Sequence, residues 1–418
     1  MKRKLLLLVS LCLLVSVLFF ATANAEGGVI RYYAFDSWPG APEYKEGFEE
    51  LKAQFEAENP GFILEIQYDP WGSWTTKLPT MLASGNAPDV FLVNNPDFPA
   101  FAHGGYFMDL TDEVEAGYFD DYFPGVLAMY TQQGRSFAIP YSTDCRVLWY
   151  NTEIFELAGL DPDNPPKTWE ELKAAAEACS KVTTDRGQVY GFGMDMKLKE
   201  LPMQSLLCAA DYSLIDIETY ASRALESPFV NFLQLLGDMK PYYEPDFNAL
   251  DHQELSTLFA QQRVAMIIAG TWPTNVNTEL EAQDWYKFAM IPRMDESSPE
   301  GSFGGGFGMA VSATTEHPEQ AVALAKLMCS EKYNAKLMSD IPPTTTGVGQ
   351  TKFGTDPKYA VWAEQIKYAR QAQAVKTIFY SEIDLAAWDA VSKVVNGEAS
   401  PEEAALELDG IITDIIKQ

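Results

Sequence analysis

Three strand–turn–helix units in succession at the start of the chain restrict its fold more than any other feature. Val29 to Phe35 is a β-rich apolar run ending in Asp36-Ser37-Trp38-Pro39-Gly40. Helical periodicity follows, with Phe48, Leu51 and Phe55 on one face, and stops at Asn59-Pro60-Gly61. Phe62 to Tyr68 reads as a second strand, and Asp69-Pro70-Trp71-Gly72 as a turn bearing an aromatic. A helix over 75–84 contains Pro79, near its first turn or at a kink, and Gly85 ends it. Asp89 to Val93 is a third, continuous apolar strand ending in Asn94-Asn95-Pro96-Asp97. Such an alternation predicts βαβ units and a parallel sheet. Ligands in sheets of this kind sit beyond the carboxyl ends of the strands. Those ends carry Asp36, Trp38, Trp71, Asn94, Asn95 and Asp97.

A chain of 418 residues is too long for one ordinary core, so two lobes are expected. The crossing between them is placed at 134–151, where two apolar runs, Phe137 to Pro140 and Val147 to Tyr150, flank Tyr141-Ser142-Thr143-Asp144-Cys145. Further on, Thr168 with Glu171, Asp251 with Glu254 and Ser400 with Glu403 have capping-box spacing and mark helix starts. Val264 to Ala269 reads as a buried strand closed by Gly270-Thr271-Trp272-Pro273. The run Gly304-Gly305-Gly306-Phe307-Gly308 leads into a strand over 309–311, and the break at Ile341-Pro342-Pro343 suggests a further crossing. The expected division is 26–140 plus 309–345 for lobe 1, and 141–308 plus 346–418 for lobe 2.

Met1-Lys2-Arg3-Lys4, the apolar run from Leu5 to Phe20 and Ala23-Asn24-Ala25 have the order of a cleaved secretory signal peptide over 1–25. Leu11 before Cys12 is a poor match to a lipid-attachment signal, so a freely soluble exported protein, periplasmic or extracellular, is expected. Cleavage would remove three cations and no acid, taking the formal charge from −29 to −32. That surface repels phosphate backbones, which argues against nucleic acid as a partner. Cys145, Cys179, Cys208 and Cys329 remain; their spacing shows no C-x-x-C, and their pairing is open.

Catalytic and cofactor motifs are poorly matched. The glycine run follows a loop and precedes a strand, the reverse of the phosphate-binding order, and position 309 is Met. There is no G-x-S-x-G, and His103, His252 and His317 sit in a Gly-Gly turn and at helix starts. No H-E-x-x-H exists for a metal, so no metal site and no cofactor is expected. Chance carboxylate pairs are inevitable among 59 acids, so a glycan hydrolase remains an alternative. What stands out is that Trp38, Trp71, Tyr141 and Trp272 follow or end predicted strands, beside Asp36, Asn94, Asn95, Asp97 and Asp144. Flat aromatic faces pack on the C–H face of a sugar ring, and Asp or Asn bond its hydroxyls. Position and residue type add Asp195 to these candidates.

Leu82-Ala83-Ser84-Gly85-Asn86-Ala87-Pro88-Asp89-Val90 resembles the signature of the family 1 extracellular solute-binding proteins, the maltose-binding-protein-like sugar-capturing components of ABC importers. Gly104-Gly105 before Asp109-Leu110, Ala138-Ile139-Pro140 before Trp149-Tyr150-Asn151, and Gly270-Thr271-Trp272 follow in the family's order. The resemblance implies an α/β, type II-like periplasmic-binding-protein fold: two lobes, each a mainly parallel sheet flanked by helices, joined by hinge strands. It implies a carbohydrate captured between the lobes and delivered to membrane permease subunits by a monomer, without catalysis. A polyol, glycerol phosphate or polyamine is the alternative ligand. Carried over residue by residue, it marks Asp36, Trp38, Asn94, Asn95, Asp144, Trp272, Gly305, Gly306 and Trp388 as contacts.

Overall fold

A computed structural model gives the fold and describes residues 27–417 except Trp38, Ala41, 197–199, Ser339, 371–376 and Ile378. The expected signal peptide and the candidate Trp38 lie outside the described residues. The principal strands are β1 Val29–Phe35, β2 Ile63–Asp69, β3 Val90–Asn94, β4 Ala138–Cys145, β5 Val147–Asn151, β6 Met266–Ala269, β7 Tyr286–Ala289, β8 Ser302–Val311 and β9 Ala369–Arg370.

The opening units form the first lobe. β1 lies between β2 and β3, parallel to both, so the carboxyl ends of all three strands share one edge. Helix Lys45–Glu58 buries Phe48, Leu51 and Phe55. Helix Trp71–Ala83 buries Trp74, Leu78 and Leu82; it starts earlier than expected, making Trp71 its first residue instead of a turn residue. Pro79 therefore lies inside the helix, where it removes one backbone donor. Burial of these apolar faces against the sheet builds one continuous core around Tyr32, Phe91 and Leu92.

The glycine run is not a lead-in but part of β8, which is ten residues long. Its second half pairs antiparallel with β3, and β4 pairs antiparallel along nearly its whole length. Likewise the hydroxyl-rich segment 141–145 is strand, not a turn between strands. β4 and β8 thus run together out of the first-lobe sheet, and the first residues of β8 also pair with β9. Ile341 forms an isolated bridge with Thr143, which places the expected break at 341–343 beside the same two strands.

The second lobe departs from the expected parallel sheet. β5 is its central strand and pairs antiparallel with both β6 and β7. Its alternation is strict: Leu148 and Tyr150 enter one apolar core, Val147 and Trp149 another on the opposite face. Helices Trp169–Cys179, Ser227–Met239, Tyr380–Asn396 and Pro401–Ile416 cover the first face. Helices His252–Ala260 and Ala360–Gln365 contribute to the second. All three capping boxes form, at Thr168, Asp251 and Ser400. The four described cysteines are buried free thiols; burial raises each, Cys179 and Cys208 to about 12.

Candidate functional site

At the shared edge of the first-lobe sheet, the end of β2 is fastened: the Tyr33 hydroxyl donates to Asp69 at 2.8 Å and Lys77 Nζ pairs with it at 2.5 Å. Asp36 follows β1 in a tight turn, its backbone N–H bonded to the Asp69 carbonyl and its own carbonyl accepting from Gly40. Trp71 begins the helix after β2 and keeps 36% of its surface exposed. Its ring stands edge-on to Phe35 at 5.2 Å and to Phe307 of β8 at 5.9 Å, which fixes its orientation. Asn94 ends β3 opposite Phe307, and the Asn95 backbone donates to the Gly306 carbonyl at 3.2 Å. The Asn95 side chain is 2% exposed, and its amide nitrogen has no protein partner among the described residues. Asp97 precedes the short helix Phe98–His103 without a side-chain capping bond to it, and burial pushes its carboxyl up to about 6.

The crossing strands supply the charged part. Asp144 on β4 pairs with Arg146 at 2.6 Å; their side chains are 16% and 8% exposed. Burial raises the Asp144 carboxyl, while Arg146 and the Gly305 backbone N–H pull it the other way. The Arg146 guanidinium sits 4.9 Å from the Phe303 ring centroid and 5.4 Å from that of Trp272, a cation held between two π faces. Trp272 closes the turn after β6, half-buried, with His252 edge-on at 6.4 Å. Asp340, just before Ile341, accepts from the Thr271 hydroxyl at 3.2 Å, and the antiparallel bridge between Thr143 and Ile341 sets it across from Asp144. Burial first, then the neighbouring Asp144 charge, raises its carboxyl to about 7.

Glycine is needed where these strands touch. A Cβ on Gly305 would lie 2.5 Å from the Asp144 carboxylate. One on Gly306, whose φ is +135°, would lie 2.2 Å from the Ser142 carbonyl. The glycine run thus serves close strand approach, and it brings Asp144, Asn95 and Phe307 to one neighbourhood.

Three expected residues fall elsewhere. Tyr141 is the extra residue of a β-bulge on β4, because Phe307 pairs with Ser142 and Gly308 with Pro140. The bulge turns its ring fully into the first-lobe core, so it has no face open to a ligand. Trp388 is 4% exposed in the second-lobe core, and its indole N–H donates to the Met196 carbonyl at 3.0 Å. Its face is covered by packing instead of offered for stacking. Asp195 is 2% exposed, between the core residues Met194 and Met196. Conversely, Arg146, Thr271 and Asp340 were missed. Arg146 had a signal, two positions beyond Asp144 in an extended run, whereas Asp340 is brought in only by the return of the chain at 341. A separate hollow of about 430 Å³ between Tyr150, Pro162, Lys287 and Arg293, at the β7 edge, holds none of the expected residues. Among the described residues, no group of three or more His, Cys, Asp or Glu is arranged to hold a metal ion.

Residues 41–335 match the family described as bacterial extracellular solute-binding protein. The chain belongs to that family. A Brucella abortus (strain 2308) protein named as a candidate binding protein is 24% identical over 412 residues, covering 95% of this chain and 96% of its own. The diacetylchitobiose binding protein DasA of Streptomyces coelicolor is 25% identical over 296 residues, 69% of this chain and 67% of its own. Among solved structures, an ABC transporter solute-binding protein of Thermotoga lettingae bound with α-D-tagatose superposes with a TM-score of 0.78, at 24% identity, over 93% of this chain and 100% of that one. The last likeness is one of fold: two α/β lobes joined by crossing strands. No helix among the described residues is long and apolar enough to cross a membrane.

Proposed function

We propose that the protein captures a carbohydrate between its lobes, divided as 26–140 with 309–345 and 141–308 with 346–418, and delivers it as a monomer to ABC-transporter permease subunits. The observation that carries this reading is a fixed, part-exposed Trp71 face and a half-buried Trp272 among side chains suited to hydroxyls: Asp36, Asn94, Asn95, Asp97 and Asp144. Gly305 and Gly306 keep the floor low, and Trp38 would add a further aromatic face after β1. Arg146 is already matched by Asp144, so an anionic ligand such as glycerol phosphate finds no spare cation there. The relatives named for diacetylchitobiose and tagatose support a mono- or oligosaccharide.

The reading involves no catalysis: ligand touching both lobes favours the closed state by its extra contacts there. The chain is exported by its signal peptide and works outside the cytoplasm without a lipid anchor. Thermal-shift screening followed by calorimetry is the test, because a ligand of the native state raises the midpoint. The panel holds tagatose, diacetylchitobiose, maltose, glycerol 3-phosphate and spermidine. A saccharide should bind with the largest shift; preference for the phosphate or the amine, or release of cleaved product from an oligosaccharide, would overturn the reading.

A further inference from the structure

Two carboxylates and one guanidinium meet where the chain passes between lobes. Asp144 is on β4, and Arg146 lies just past its end. Asp340 sits on the returning segment, across from Asp144 beside the antiparallel Thr143–Ile341 bridge, and accepts from Thr271 of the second-lobe turn. Among the described residues, the other titratable groups around the pair are the buried Tyr141 hydroxyl near Asp340, the buried Tyr130 hydroxyl and Cys145 thiol near Asp144, and His252, which packs on Trp272. One guanidinium balances one carboxylate, and Arg146 is committed to Asp144 at 2.6 Å. The second carboxylate therefore carries an unmatched charge in a part-buried place, and taking a proton is the inexpensive way to relieve it.

We propose that Asp340 and Asp144 hold one proton between them at the crossings, so that closing the cleft on a solute takes up that proton and capture weakens as the medium becomes alkaline. Asp340 acts as a positioning residue: its acid form holds the Thr271 hydroxyl without repelling Asp144, whereas its ionised form sets two like charges against each other. Closing the lobes removes water from the pair, which penalises the doubly ionised state further. The closed form then binds the proton more tightly than the open one, and by linkage the solute binds more tightly where the proton is present. Burial, then the Asp144 charge, raises the Asp340 carboxyl to about 7, in keeping with this direction.

The capture step rests on the carbohydrate reading; the proton pair does not. The first measurement therefore needs no ligand: carbon-13 NMR of aspartate-labelled mature protein, titrated from pH 4 to 9. Besides Asp97, whose carboxyl is raised to about 6, a second carboxyl should titrate near 7, disappear in Asp340→Asn and remain in both Asp97→Asn and His252→Gln. The second is calorimetry with whichever panel saccharide binds, where Kd should rise about tenfold from pH 5.5 to 8.5, the equivalent of one pKa unit. Asp340→Asn, which bonds without titrating, should bind at both pH values with a nearly constant Kd. A titration near 7 that survives Asp340→Asn in the Asp97→Asn background, or a Kd profile unchanged by Asp340→Asn, overturns the proposal. If the carboxyl titrates as expected but no saccharide binds, the carbohydrate reading fails and the proton pair stands.

Discussion

The two lobes bury their sheets in opposite ways. In the first, β1, β2 and β3 are consecutive, parallel and joined by their own helices, so every strand end reaches the same edge by local construction. In the second, β5 is flanked by β6 and β7, which come more than a hundred residues later and run antiparallel to it. The first lobe therefore places its candidate contacts at strand termini. The second presents them from one turn, Gly270 to Trp272, and from chain segments that merely return to it. A solute between them would meet a scaffold set by local sequence on one side and by long-range pairing on the other.

The comparison is most open to attack at Trp149. Its ring stacks on Tyr286 at 5.3 Å and meets Phe288 edge-on at 4.6 Å, so it fastens β5 to β7 across that sequence gap. Trp149→Ala should cost about 4 kcal/mol in urea unfolding. Hydrogen exchange should locate the loosening in β5 to β7 and leave β1 to β3 protected; equal loosening in both lobes would show that they are one cooperative unit.

Gly306→Ala attacks the seam instead of a lobe. The φ of +135° and the 2.2 Å approach to the Ser142 carbonyl leave no place for a methyl group. The expected loss is about 3 kcal/mol, again by urea titration. A variant with native stability would mean that β4 and β8 separate easily at this point.

This seam also marks how far the sequence could be read. The three opening strands, the capping boxes and the placement of Asp36, Trp71, Asn94 and Asp97 at strand ends follow from periodicity and turn chemistry, which act over a few residues. Tyr141 was misplaced because a bulge shifts the alternation by one, and a bulge is produced by the partner strand, not by the residue itself. Trp388 was misplaced because an aromatic on an amphipathic helix serves a core or a ligand equally well until its neighbours are known. Asp340 was invisible for the same reason as the second-lobe sheet: its partner Thr271 is 69 positions away, the strand it lies across is farther still, and no local pattern encodes that meeting.

Trp272 sharpens the comparison on the ligand side, since it is the half-buried aromatic proposed as a contact in the second-lobe turn. Trp272→Ala should weaken binding of the screened saccharide by about 2 kcal/mol, combining lost stacking with lost burial, measured by calorimetry. The buried Trp388 provides the contrast: Trp388→Phe should lower stability through the lost bond to Met196 and leave affinity nearly unchanged. Comparable affinity losses in both variants would mean that the second lobe engages the ligand through its core-lining helix as well.

The smallest expected effect belongs to Asp97, on the first-lobe edge, and its sign is the informative part. Burial raises its carboxyl to about 6, against about 3.9 for an unfolded aspartate, so between those values the native chain binds more protons than the unfolded one. The stability linked to this group is fully present below pH 4, is lost as pH rises through 6, and is level above pH 7. Asp97→Asn removes the titration while keeping the shape, and should stabilise the unliganded protein by about 1 kcal/mol at pH 8 but not at pH 4. Denaturant midpoints at the two pH values measure this directly. A group retained at such a cost at neutral pH is serving something other than the fold, and a saccharide hydroxyl donating to its ionised form would supply the missing partner. Added saccharide should then protect the native protein more than Asp97→Asn at pH 8, and equal protection of both would remove Asp97 from the site.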